Sequence, residues 1–288
     1  SILVGVLTGA AGMRAWLSSR LRPPAPAALS AFWLPLLKSP DPVILCVSTP
    51  AQSFLRTLPG PPVNVPGSLP VDAAVTAWHA KQRVETHGPY LLQVPTVNSP
   101  LWGDAAGAAR VAQMLGQNGI QTEMMAERVI ALPALRNRNV VFLGTSEYSS
   151  GVSRLLKGLP LGIAYDETAA DHIALEYDAA DVVTKRYPVK RSGGHLTEVY
   201  GLITRVKGDG DAEKSSLYVV LSGVSSAGIL AAAQYVTSPH HLERLTRSLT
   251  TDWQSQPLQV LIRVRADRTL PLSFEYVTHF VGPAKPSQ

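Results

Sequence analysis

Leu217-Tyr-Val-Val-Leu-Ser-Gly-Val-Ser-Ser-Ala-Gly-Ile-Leu-Ala-Ala-Ala-Gln-Tyr-Val236 is the stretch that decides the fold. Its first five residues form an unbroken apolar run, the pattern of a strand covered on both faces. Residues 226–236 are Ala-rich and predict a helix. The small residues between them form a tight strand-to-helix turn. The same order recurs at 140–158, where Val140-Val-Phe-Leu-Gly144 precedes a helix expected over 151–159.

Working outward, Pro42-Val-Ile-Leu-Cys-Val47 is a third buried strand. Asp104 is placed to N-cap a helix over 105–116, whose Ala108, Val111, Ala112 and Leu115 fall at helical spacing. Gln117-Asn-Gly119 closes that helix, a strand is expected at 120–125, and a helix at 126–135. Strand alternating with helix predicts a parallel sheet with right-handed crossovers. After residue 160 the pattern changes. Hairpin strands are expected at 161–165 and 172–177, and 195–206 alternates as a strand with one exposed face would. A helix at 239–249 and strands at 258–264 and 272–280 complete the chain. The expected class is therefore α/β with two Rossmann-like halves. The first, 31–160, has a largely parallel sheet; the second, 161–288, has a mixed one. The units at 140–158 and 217–236 are candidates for equivalent parts of the two.

The totals bound the function. The 288 residues are 45% hydrophobic and 16% charged, enough apolar surface to build a core. Net charge is +5, but the cations are scattered. The densest group, Lys185, Arg186, Lys190 and Arg191, is interrupted by Tyr187-Pro188-Val189 and reads as a solvated strand edge. No nucleic-acid-binding signature accompanies it, so direct nucleic-acid binding is not expected. The single cysteine, Cys46, lies within an apolar run and reads as core. The prolines bunch in 23–70, and 57–70 is expected to be a long loop. Residues 1–13 carry no charge and precede Arg14, Arg20 and Arg22. They read as the trailing end of a membrane or signal segment, with a linker to residue 30. The arginines alone favour a cytoplasmic flank.

In open α/β sheets, ligands bind beyond the carboxyl ends of the strands. Three such ends are readable: Ser48-Thr49, Gly144-Thr145-Ser146-Glu147, and the turn Ser222, Gly223, Ser225 and Ser226 up to Gly228. Small residues and a helix N-terminus there suit a small anion such as phosphate or carboxylate. The plainer alternative is a tight turn in which Gly223 and Gly228 serve packing. Gly223-Val-Ser225-Ser-Ala227 also has the order of a nucleophile elbow with Ala in the last place, so Ser225 with Asp252 or Asp267 and His279 is the hydrolase alternative. His240, His241 and Glu243 read as a helix start rather than metal ligands. His79, His87, His172 and His195 have no ligand-spaced partners. Trp33, Trp78, Trp102 and Trp253 read as core. No metal or cofactor is expected.

Phe32-Trp-Leu-Pro-Leu-Leu-Lys-Ser-Pro-Asp-Pro-Val-Ile-Leu-Cys-Val47, Asn139-Val-Val-Phe-Leu-Gly-Thr145 and Leu221-Ser-Gly-Val-Ser-Ser-Ala-Gly228 resemble parts of one bacterial family. It comprises membrane-anchored proteins, common in soil bacteria such as acidobacteria, whose winged-helix DNA-binding domain often precedes a membrane helix. The likeness runs from about residue 30 to the end. Where that family often reads Gly-x-x-x-Asn-Pro-Trp, Gly144-Thr-Ser-Glu-Tyr-Ser-Ser150 lacks both Asn and Trp. No ligand contact is carried over there. The resemblance implies a sensory or interaction module, binding a small molecule or a protein and held outside the cytoplasmic membrane. The leading expectation is thus a ligand-sensing or partner-binding domain; a serine hydrolase and a structural scaffold are the alternatives.

Overall fold

A computed structural model describes residues 25–49, 100–127, 130, 132–208 and 216–282, and the backbone of two strands at 52–57 and 91–96. The chain divides into two compact units, Ala51–Ser99 and the remainder. In the smaller unit, β2 (Gln52–Thr57) and β3 (Leu91–Thr96) pair antiparallel. The expected loop at 57–70 lies, beyond Thr57, outside the described residues. So does the expected membrane or signal segment at 1–13.

The larger unit is mixed α/β. Its elements are α1 (Ala27–Leu37), β1 (Val43–Val47), α2 (Trp102–Gln117), β4 (Thr122–Ala126), β5 (Val140–Leu143), α3 (Ser150–Leu156), β6 (Leu161–Asp166), β7 (Asp171–Tyr177), β8 (Val183–Tyr187), β9 (Lys190–Ser192), β10 (His195–Lys207), β11 (Leu217–Gly223), α4 (Ser226–Val236), α5 (Pro239–Thr246), β12 (Leu258–Asp267) and β13 (Leu270–Val281). The main sheet has the order β13-β12-β10-β11-β5-β1-β4, with β9 on β10. β4, β1, β5 and β11 are parallel; β10, β12 and β13 extend the sheet antiparallel. A separate three-stranded sheet holds β6, β7 and β8. The pairing of β5 with β11 joins strands from either side of residue 160 in one sheet.

Side chains alternate along a strand, so a strand covered on both faces feeds two cores. Val43, Leu45 and Val47 of β1 pack with Val141 and Leu143 of β5, Val219 and Leu221 of β11, and the apolar faces of α1, α2, α4 and α5. Ile44, Cys46, Val140, Phe142, Tyr218 and Val220 point the other way, toward α3 and the small sheet. This two-sided burial explains why three central strands read as continuous apolar runs. It also corrects the expectation for β10. From Val199 to Val206 both faces are buried, because helices cover one and the small sheet covers the other.

Three polar ties hold these layers. Gln259, fully buried on β12, accepts from Leu161 N (2.8 Å) and donates to Leu161 O (2.8 Å) and Thr204 Oγ1 (3.2 Å), fastening β6 to the main sheet. Arg205, also buried, donates to Phe32 O (3.1 Å) and Gln254 O (2.9 Å) and lies over the Trp253 ring. Burial pulls its guanidinium down to about 10. Trp33 Nε1 donates to Val236 O (2.8 Å), tying α1 to the end of α4. Trp33 and Trp253 are core, as expected.

Other expectations shift. α1 begins at Ala27, inside the stretch read as linker. The helix expected at 126–135 is absent among the described residues. Ala126 completes β4, and Leu132–Leu135 forms a 3-10 turn around Pro133. Glu127 instead turns toward α3 and accepts from Gly151 N (2.7 Å) and Ser150 Oγ (3.2 Å), capping the start of that helix. The basic cluster is paired: Arg186 with Asp166, Lys190 with Glu198, Arg191 with Asp171, and Lys185 over the Tyr187 ring. No described helix is long and apolar enough to cross a membrane.

Candidate functional site

β1 lies between β4 and β5, so the chain leaves β1 for one neighbour and later returns to the other side. Such a reversal opens a crevice at the carboxyl ends of the strands, because the helices that follow adjacent strands diverge to opposite faces. Here α2, which follows β1, packs with the first core, and α3, which follows β5, with the second. α4, after β11, returns to the first. The three strand ends named from sequence therefore share one end of the sheet.

Their side chains interlock. Ser48 Oγ donates to Asp104 Oδ2 across 2.6 Å. Ser222 Oγ donates to Gly144 O across 2.7 Å, joining the ends of β11 and β5. Gly144 has φ of 148°, and a Cβ there would meet Ser48 Oγ at 2.4 Å, so only glycine fits. A Cβ on Gly103 would meet Ser226 O at 2.3 Å, so the first turns of α2 and α4 touch backbone to backbone. Gly223 and Gly228 serve packing: a Cβ on Gly223 would meet Ile229 N at 2.4 Å. Ser146 is turned away and donates to Ile163 O (3.1 Å) of the small sheet.

Asp104 is the residue that sequence reasoning misplaced. The helix starts earlier, at Trp102, and the Asp104 carboxylate makes no capping bond. It is fully buried, bonded through Oδ2 to Ser48, while Oδ1 has no partner. Burial pushes the carboxyl up to about 6, against a smaller lowering by the Ser48 bond. Thr49 Oγ1, Thr145 Oγ1 and Ser225 Oγ are likewise buried without a hydrogen-bond partner. Of the five such side-chain oxygens among the described residues, four lie on these turns; the fifth belongs to Ser216. No family model, curated protein or solved structure matches this chain. The site is therefore read from its own chemistry.

That chemistry is hydroxyl-rich and short of cations. The described turns 48–49, 101–107, 144–149 and 222–228 contain Asp104 and Glu147 but no Lys, Arg or His. Glu147 is exposed and reaches His172 Nε2 at 2.6 Å, and the His172 ring lies edge-on to Tyr165. Trp102, read as core, is instead 63% exposed at the first residue of α2; Tyr148, after β5, is also exposed.

The hydrolase set is not brought together. Ser225 begins α4, whereas His279 bonds Tyr276 Oη at 2.6 Å on β13. Val260 pairs with both His279 and Ile203, and Ile203 pairs with Leu221. His279 thus stands three strands from β11, roughly 14 Å at the usual strand spacing. Asp252 bonds Gln256 just before β12, at the opposite end of the sheet from Ser225. Asp267, the alternative acid, ends β12. His241 stacks on Tyr235 and packs against Phe274, while Glu243 pairs with Arg247. Among the described residues no three His, Cys, Asp or Glu side chains gather as a metal site. His79, His87 and Trp78 lie outside the described residues.

Proposed function

We propose that this chain is a ligand-binding α/β domain whose ligand sits at the carboxyl ends of β1, β5 and β11. The observation that carries this reading is the cluster of four unpartnered buried oxygens, on Thr49, Asp104, Thr145 and Ser225. A buried polar group left unsatisfied costs about 1–3 kcal/mol. Four together approach the whole net stability of a domain, about 5–15 kcal/mol. A ligand that pairs them recovers that cost, and so gives the cluster a function that packing does not. Residues 31–160 retain the switch point of a Rossmann-like half, and β11 with α4 supplies the matching unit of the second.

The wider context comes from the resemblance described above: a sensory module of a membrane-tethered regulatory protein, held outside the membrane. Both parts are testable. In a thermal-shift screen of nucleotides, sugar phosphates, organic acids and neutral sugars, at least one compound raises the melting temperature of the wild type. At a hundred times its Kd, a ligand adds about 2.7 kcal/mol. The same compound has less effect on a Thr49→Val, Thr145→Val variant. A screen in which no compound moves the melting temperature counts against the site. For the context, the protein in bacterial cells is expected in the membrane fraction and open to external protease.

A further inference from the structure

We infer that this chain has a second binding site, a cleft between α3 and β6 that takes a small aromatic carboxylate. Thr49, Asp104, Thr145 and Ser225 take no part in its lining, so the cleft stands or falls separately from the strand-end site.

The backbone makes the cleft. α3 ends at Leu156, and the chain turns back into β6 at Leu161. Gly158, with φ of 75°, lies in that turn. Helix and strand line a common cavity of about 540 Å³, within the range of small-molecule sites, about 300–1,000 Å³. Its floor is apolar: Leu156, Leu159, Leu161 and Ile163 belong to the second core and reach the cavity from below. One wall is aromatic. Tyr177, on the strand paired with β6, lays its ring against Gly162, where a Cβ would meet Tyr177 Cε2 at 3.1 Å. Glycine at 162 lets the ring lie close to the strand. A ligand ring pairs with such a wall edge-on or offset, at about 4.5–7 Å between centroids.

The rim is cationic. Arg154 and Lys157, three residues apart and both exposed, line the helix side, and Asp181 is the one carboxylate in the lining. Arg154 and Asp181 are each engaged within the protein. Lys157 forms no ion pair among the described residues, so its ammonium is the charge assigned to the ligand. About half a negative charge at the end of α3 does not cancel it. Glu147, on the neighbouring turn, reaches His172 and is not in the lining. Bare phosphate would leave the floor and the ring unused, and a neutral hydrocarbon would leave the ammonium unused. An aromatic ring carrying a carboxylate uses both.

The test is calorimetric titration of the purified chain with benzoate, phenylacetate and indole-3-acetate. Phenylacetamide, indole-3-acetamide and inorganic phosphate are run in parallel. At least one acid is expected to bind more tightly than about 1 mM. Its amide should bind at least about fivefold more weakly, the factor for one ionic contact at about 4 Å in water. Lys157→Glu should weaken the acid by more than about fivefold, and the loss should shrink toward about 500 mM salt. Ser153→Trp, at an exposed lining position, should fill the cavity and abolish binding. Both variants should melt as wild type does. The cleft is overturned if no acid binds, if the amides bind as tightly as the acids, or if phosphate alone binds. It is equally overturned if Lys157→Glu and Ser153→Trp bind as wild type does. Binding that survives Lys157→Glu but is lost in Thr49→Val, Thr145→Val would move the acid to the strand-end site and overturn the cleft.

Discussion

Gln259 and Asp104 are both fully buried polar side chains in the same unit, and the fold treats them in opposite ways. Gln259, beside the small sheet, has both ends of its amide paired, to Leu161 and Thr204. Asp104, at the carboxyl end of the parallel strands, keeps one oxygen bonded to Ser48 and the other unpaired, with three unpaired hydroxyls on the neighbouring turns. Removing a satisfied buried partner exposes its mates to a desolvation penalty, whereas removing an unsatisfied group relieves one. The Gln259 region therefore holds the molecule together, whereas the Asp104 region gives up part of that stability, as the proposed binding site would require.

Substitutions can break or sharpen this contrast. The largest effect is expected at Gly223→Val, whose Cβ would meet the backbone of Ile229 and Gly228. It should cost more than about 4 kcal/mol and abolish the cooperative melt seen by circular dichroism. A folded Gly223→Val protein would mean that α4 is not held by this turn. Next, Gln259→Leu leaves both the N–H and C=O of Leu161 without their partner and should cost about 2–4 kcal/mol. In urea, its midpoint should fall with the slope unchanged.

Asp104→Asn should act in the other direction. The folded carboxyl titrates near 6 instead of 3.8, so the folded state holds a proton that the unfolded state has lost between those values. Its contribution is fully favourable below about pH 3.8 and is lost as pH rises through about 6. The shift corresponds to a penalty on the order of 3 kcal/mol at pH 8. Asn carries no such charge. The variant should therefore gain stability relative to wild type as pH is raised from 4 to 8, as read by urea midpoints across that range. A difference that does not change with pH would mean that Asp104 is already compensated in the folded state.

The strand ends that make up this candidate site were legible from sequence because their anchors are local. Apolar runs at 43–47, 140–143 and 217–221 end in small polar residues, and the rule that ligands gather at strand ends named 48–49, 144–147 and 222–228. Asp104 was not legible in its true role. Its partner Ser48 is 56 residues away, across the inserted unit, and an Asp near a helix start has the local signature of a cap. The exposure of Trp102 has no local mark in the sequence either. The buried second face of β10 was hidden for a similar reason: the small sheet that covers it is held by Gln259, a polar residue within an apolar strand. The false helix at 126–135 shows the reverse, a local pattern overridden when Glu127 is drawn to cap α3.

The most direct test is the unfolding free energy, without ligand, of Thr49→Val, Thr145→Val, Ser225→Ala in one chain. These changes remove three unpaired hydroxyls and no hydrogen bond, and Ser225 makes no capping bond. The variant should be as stable as wild type or more stable, by up to about 2 kcal/mol. A loss of about 2 kcal/mol or more, like that expected of Gln259→Leu, would show that these hydroxyls hold the fold and would contradict the site.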